Sequence, residues 1–256
     1  MQNLSVTLVQ TTQQWENKAG NLTHFDGLFA KLPATDLVLL PEMFHTGFSM
    51  NAETLAETMK ATGIAWLKKM AREKNSAIYT SLIIKEDEQF YNRGVFVQPD
   101  GLVHVYDKQK RFAMAGEDLV YSAGAKNTIL NWRGWNIKLQ ICYDLRFPEI
   151  ARNSVDANGH ADYDILLYVA NWPERRALHW KSLLIARAIE NQCYVAGLNR
   201  VGTDGNGLTY SGDSMVVDAL GTVHGCAASV EEIKTVELNY TDLLTVRQQL
   251  PFLKDT

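Results

Sequence analysis

Four apolar runs of this 256-residue chain end in side chains that can do chemistry. "DLVLL" runs into Pro41-Glu42-Met43-Phe44 and "LVHVY" into Asp107-Lys108-Gln109-Lys110. "IKLQI" runs into Cys142-Tyr143-Asp144 and "ILLYVA" into Asn171-Trp172-Pro173. These ends offer a carboxylate, an ammonium, a thiol and an amide beside an indole. A thiol is mostly protonated at neutral pH but is a strong nucleophile as the thiolate. A carboxylate such as Glu42 can take its proton. An ammonium such as Lys108 can favour the thiolate and stabilise an oxyanion, and the backbone N–H of Tyr143 can donate to the same oxygen. Brought together, the set would carry out acyl transfer at a carbonyl carbon through a thioester, with water as the final acceptor. A C–N bond is a natural target, because the protonated base can return its proton to the departing amine.

Each residue also has a plainer reading. A lone cysteine at a strand end is commonly a small buried hydrophobe. Cys193 in "NQCYVAGLN" and Cys226 in "VHGCAAS" fit that description and are read as structural. Glu42 after Pro41 suits the first turn of a helix. Lys108 could belong to a solvated basic cluster with Lys110 and Arg111, and Asn171-Trp172-Pro173 could be only a turn. Glu42, Lys108 and Cys142 lie far apart in the chain, so spacing leaves the choice open.

The elements that must position these ends are readable. Strands are expected over 4–10, 36–40, 77–84, 94–98, 137–141, 165–170, 193–199, 214–217 and 235–238. Several are almost wholly apolar, as strands buried on both faces of layered α/β folds are. The "PDG" after 94–98 predicts a hairpin into "LVHVYD". Helices are expected over 22–31, 52–74 and 179–192, outside a mixed sheet, with Arg187 and Glu190 a structural pair on the last. In such folds ligands sit beyond the carboxyl ends of strands. The chain reads as one domain spanning 1–256, without repeat, low-complexity tract or linker. Apolar residues make up 46% of it, enough for a sizeable core. The net charge of −4 shows no basic footprint for nucleic acid. No run approaches the ~20 apolar residues that span a bilayer, and the N-terminus reads as no signal peptide. Three scattered cysteines argue against a disulfide scaffold or a C-x-x-C metal site, and for a reducing cytoplasm. The histidines lack ligand spacing.

"LLPEMF", "VYDKQKRF" and "ICYDLRFPE" stand in the order of the nitrilase superfamily, the carbon–nitrogen hydrolases. "FYNRGVFVQPDG", "LLYVANWP", "HWKSLLIARAIENQCYVAGLNRVG" and "SGDSMVVDALG" extend the resemblance over nearly the whole chain. It implies an α/β fold of four-layer α-β-β-α sandwich type, usually dimerised through one helical face. It implies a triad of Glu42 as general base, Lys108 stabilising the tetrahedral intermediate and Cys142 as nucleophile, with Glu117 of "MAGED" as an accessory glutamate. No metal or organic cofactor is implied. The motif around Lys108 departs from the common pattern, with Lys110 and Arg111 where histidine and leucine are frequent.

The omega-amidase branch is the most similar, through "PEMF.TGFSM", "CYDLRFP", "YVANWP" and "NRVG.DGNG". It implies 2-oxoglutaramate as substrate, hydrolysed to 2-oxoglutarate and ammonia, with 2-oxosuccinamate as a shorter alternative. Another small amide, a carbamoyl-amino acid or a nitrile is the alternative within the superfamily. A substrate carboxylate would call for a cation. Arg146 is one candidate, weighed against an ion pair with Asp144 or Glu149; Arg175 and Arg176 are others, weighed against a solvated face. Phe44, Phe48, Tyr143 and Trp172 could wall the pocket, with Asn171 beside them.

Overall fold

The computed structural model describes residues 2–255. In chain order its first half holds β1 (Leu4–Gln10), α1 (Lys18–Ala30), β2 (Leu37–Leu39), α2 (Ala52–Leu55), α3 (Thr62–Lys74), β3 (Ala77–Glu86), β4 (Gln89–Val97) and β5 (Val103–Asp107). Then come α4 (Glu117–Val120), β6 (Ile129–Trp132), β7 (Trp135–Ile141), α5 (Pro148–Ala151), β8 (Ile165–Ala170), α6 (Ala177–Asn191) and β9 (Tyr194–Asn199). The chain closes with β10 (Val201–Thr203), β11 (Thr209–Ser211), β12 (Met215–Val217), β13 (Val223–Gly225), β14 (Glu232–Leu238) and α7 (Tyr240–Gln249).

Among these residues two six-stranded sheets form, in the orders β14-β1-β2-β3-β4-β5 and β13-β12-β9-β8-β7-β6. β1, β2 and β3 run parallel, as do β7, β8 and β9, and the flanking strands are antiparallel. Alternation along each strand sorts side chains into layers. Val6, Leu8, Tyr79 and Phe96 face inward and meet Ile137, Leu139 and Ile141 of the other sheet in one core. Val9, Val38, Ile78 and Val95 face outward and are covered by Phe25 and Phe29 of α1 and by Ile64, Leu67 and Met70 of α3. On the far side Trp180, Leu184 and Ala188 of α6 cover the second sheet. The outcome is the α-β-β-α sandwich.

β1 and β8 match their expected ranges, and the "PDG" hairpin joins β4 to β5. The expected helix over 52–74 is broken. Its middle is pulled into sheet contact at Glu57, which bridges Ile84 and bonds the backbone of Ile83 and Lys85, so α2 and α3 are separate. β6, β10, β11 and β13, each of three or four residues, carry too few side chains to show a period. α7 was not anticipated either, because Leu243 is its one buried residue.

Candidate active site

β2, β5, β7 and β8 deliver their following residues to one end of the sandwich. Glu42 comes after β2, Lys108 directly after β5, Cys142 directly after β7 and Asn171 directly after β8. β2 is in the first sheet with β5, and β7 and β8 are neighbours in the second, so the residues meet where the two sheets face each other. Met43 and Cys142 both adopt left-handed backbone, at φ 47° and 45°. Such conformations persist where surroundings over-determine them. Here they turn the chain sharply out of the strand, and Cys142 opens a short 3-10 turn, Cys142–Arg146.

The polar centre is almost sealed from water. Glu42 and Glu117 are fully buried, Lys108 is 1% exposed and Cys142 8%. Lys108 Nζ donates to Glu42 Oε1 at 3.0 Å and to both oxygens of Glu117 at 2.9 Å. Asn92 Nδ2, on β4, donates to the same two carboxylates, at 2.8 Å to Glu42 Oε1 and 3.2 Å to Glu117 Oε1. Glu42 Oε2 accepts from the Asn171 backbone N–H at 2.8 Å, while Asn171 Nδ2 donates to the Glu42 carbonyl at 2.6 Å. Cys142 Sγ lies 3.9 Å from the Asn171 carbonyl oxygen. The plainer readings of Glu42 and Lys108 fail geometrically. Glu42 starts no helix, and Lys108 is not solvated with its neighbours. Lys110 instead pairs with Glu149 at 3.1 Å and lies over the Phe147 ring, while Arg111 reaches the carbonyls of Asp118 and Tyr121.

Burial pushes the Cys142 thiol well above its ordinary range, and the Glu42 carboxylate adds to this against the opposing pull of Lys108. Burial alone would lower the Lys108 ammonium, but Glu117 and Glu42 hold it well above its usual value. The resting state is therefore a neutral thiol beside a permanent ammonium. Such an arrangement can take the proton from sulfur as sulfur attacks, and it can hold negative charge on an adjacent oxygen.

A cavity of about 540 Å³ opens over Cys142 and Lys108, within the usual range for small-molecule sites. Phe48, Tyr143, Arg146, Asn171 and Trp172 line it. Phe44 does not; it packs under α1 and α3 with Phe25 and Trp66, so its ring belongs to the outer core. Arg146 forms no pair with Asp144 or Glu149. It lies over the Trp172 ring at 4.7 Å and meets His179 Nδ1 at 3.1 Å. Arg175 and Arg176 also line the cavity, and Arg176 lies over Phe112. Among the described residues none of these three guanidiniums has a carboxylate partner, and burial together with Arg175 and Arg146 lowers Arg176. Arg187 does pair with Glu190, at 2.7 Å.

Five contributors escaped sequence reasoning. Asn92 was legible only as part of "FYNRGVFVQPDG". Trp15 and Glu16, past β1, and Asp204 and Tyr210, around the β10–β11 hairpin, also line the cavity. Nothing local in their segments marks them, since only the fold brings them to the rim. No cluster of three or more histidine, cysteine or acidic residues suited to a metal ion occurs among the described residues.

The carbon–nitrogen hydrolase family pattern matches residues 5–248, and the chain belongs to that family. It is 44% identical to the omega-amidase YafV of Yersinia enterocolitica, over 100% of this chain and 98% of that protein. It is 33% identical to the 2-oxoglutaramate amidase of Bacillus subtilis, over 86% and 84% of the two chains. Among solved structures, it superposes with a TM-score of 0.97 on a carbon–nitrogen hydrolase superfamily protein of Xanthomonas campestris that carries an arsenic adduct in its active site. That protein is 41% identical, with 100% and 98% of the chains covered.

Proposed function

We propose that this carbon–nitrogen hydrolase is an amidase of small 2-oxo acid amides, releasing ammonia from 2-oxoglutaramate and 2-oxosuccinamate. The observation that carries the reading is the composition of one cavity. The buried thiol of Cys142 and ammonium of Lys108 line it, Glu42 and Glu117 hold that ammonium from behind, and three guanidiniums without carboxylate partners among the described residues also line it. A substrate with an amide at one end and a carboxylate at the other matches both. The activities named for the Yersinia and Bacillus relatives support the same choice.

In this reading Cys142 Sγ attacks the amide carbon while its proton passes to Glu42. The oxygen gains a full negative charge, held by Lys108 and the Tyr143 N–H. Glu42 then gives its proton to nitrogen, the C–N bond breaks and ammonia leaves, with the acyl group on sulfur as a thioester. Water attacks that carbon, losing its proton to Glu42. Collapse of the second tetrahedral species releases the 2-oxo dicarboxylate, and the sulfur recovers its proton from Glu42. Glu117 grips Lys108 through both oxygens and keeps the ammonium aimed. Phe48, Trp172 and Asn171 wall the substrate, and Arg146 faces its carboxylate. The protein works in the cytoplasm without metal or organic cofactor, with a small amide and neither nucleic acid nor membrane as partner. A homodimer is supported by the apolar side chains that α6 and the β12–β13 turn leave exposed, Leu178, Ile189 and Leu220. Sedimentation of the purified protein tests that point.

The deciding assay is ammonia release from 2-oxoglutaramate, 2-oxosuccinamate, glutamine, asparagine, a carbamoyl-amino acid and a simple nitrile. Turnover of the oxo-acid amides alone, abolished by Cys142→Ala, is the expected result. Turnover of another member keeps the chemistry and replaces the substrate. Silence across the panel, with a Cys142 that resists iodoacetamide even at alkaline pH, overturns the amidase reading.

A further inference from the structure

One fully buried carboxylate takes no part in the steps above. Among the described residues Asp144 has no side-chain cation in contact; its three bonds come from neutral donors. Its Oδ2 accepts from the Ile141 N–H at 3.0 Å and the Tyr106 hydroxyl at 2.8 Å. Its Oδ1 accepts from the Lys110 N–H at 2.8 Å. The positions of these donors are informative. Ile141 immediately precedes Cys142, and Asp144 itself is two residues beyond it, so the side chain closes the turn that holds the nucleophile in left-handed backbone. Tyr106 and Lys110 stand two residues to either side of Lys108. A single carboxylate thus brackets both the thiol and the ammonium, which come from different sheets.

We infer that Asp144 is a positioning residue that locks the nucleophile turn to the segment carrying Lys108 and so sets the placement of sulfur against ammonium. It touches no substrate. All three groups bonded to it are donors, so an ionised carboxylate satisfies them all, whereas an amide of the same shape must turn its own N–H toward one of them. Tyr106 can rotate its hydroxyl to accept, but the two backbone N–H groups cannot. The bracket would then slacken at one end, and small displacements between reacting groups weigh heavily on rate. This inference rests on the reading that Cys142 and Lys108 carry the reaction.

The test compares Asp144→Asn and Tyr106→Phe with the parent, on whichever amide of the panel the parent hydrolyses. Asp144→Asn should lower kcat by about 10- to 100-fold with KM within about two-fold. One alkylatable Cys142 per chain and a cooperative thermal unfolding transition should remain. Tyr106→Phe keeps the charge and removes one bond; it should lower kcat less, and adding it to Asp144→Asn should cost little more, because it acts through the same carboxylate. A kcat within two-fold of the parent in Asp144→Asn overturns the inference. So does a loss that follows KM or the fraction of alkylatable thiol. If Asp144→Asn does not fold, Tyr106→Phe decides alone, and parent-like kcat in it overturns the inference. A Cys142→Ala protein that still turns over would instead refute the nucleophile assignment.

Discussion

Cys142 sits 8% exposed in left-handed backbone, and its thiol is raised rather than lowered. That combination separates it from cysteines that rest as thiolates. In the proposed mechanism its proton leaves only as the sulfur attacks, into the Glu42 carboxylate. Iodoacetamide should therefore react slowly at neutral pH, with a rate that climbs into the alkaline range. An inflection below pH 7 in the alkylation rate would contradict a neutral resting thiol. The two lysines of "DKQK" separate at the same scale. Lys108→Ala should lower kcat by roughly a thousand-fold or more, since it removes one member of a unit that acts together. Lys110→Ala should change kcat by less than about three-fold, because its ammonium is spent on Glu149 and the Phe147 ring in a partly exposed setting. Steady-state kinetics of the pair checks both, and an inactive Lys110→Ala with an active Lys108→Ala would reverse the assignment.

At the scale of elements, the site depends on how strand exits are pinned. The exit of β5 is held by Gly124, whose N–H donates to the Lys108 carbonyl at 2.9 Å. A Cβ there would stand 1.9 Å from the Asp107 carbonyl oxygen, a backbone atom with no freedom to yield. Gly124→Ala should cost about 1–3 kcal/mol of stability, as overpacking does, and should also lower kcat by displacing Lys108. Loss of stability without loss of kcat would show that β5 tolerates the shift. α6 supports the other exit. Buried Arg187 donates to the Leu145 carbonyl at 2.7 Å, within the turn that begins at Cys142. Arg187→Ala strands that carbonyl and unpairs Glu190. A loss of about 2–4 kcal/mol in urea unfolding is expected.

For the molecule as a whole, two carboxyls set opposing slopes of stability with pH. Burial works to raise Glu57, but the His45 ring, the Gly63 N–H and Lys18 outweigh it and hold it at about 2 against an ordinary 4.5. A depressed carboxyl contributes stability above pH 4.5 that is lost as pH falls toward 2. Asp144 has the reverse sign. Burial raises it from 3.8 to about 6 despite Lys108 and its three hydrogen bonds. Its contribution is full below pH 3.8 and is lost as pH rises through about 6, a penalty of about 3 kcal/mol at neutral pH. Urea midpoints measured from pH 2 to 8 should rise between 2 and 4.5 and sag between 4 and 7 on account of these groups. Glu57→Gln should flatten the acid limb and Asp144→Asn the sag. A sag that persists in Asp144→Asn would show that another group causes it.

The sequence by itself determined the elements whose interiors are buried on both faces. β1 and β8 are legible because sustained apolar runs have few other places to go; Cys193, read as structural for want of acidic or basic company, lies in the core. It also placed Glu42, Lys108, Cys142 and Asn171 at strand ends, since each apolar run stops abruptly at a polar side chain. Where burial depends on a remote partner the local pattern misled. The helix over 52–74 broke because Glu57 is claimed by β3, and Phe44 went to the core under α1 rather than to the cavity wall. Asn239, whose side chain caps α7 at the Thr241 and Asp242 N–H groups, was a readable signal that passed unused. Tertiary structure alone decided that the four strand ends meet, that Lys108 rather than Lys110 turns inward, and that Asn92, Trp15 and Tyr210 join them. Those choices follow from which strands pair and which sheet faces which. Contacts between residues far apart in the chain are set by the closing of the whole core, and no local stretch of residues carries that information.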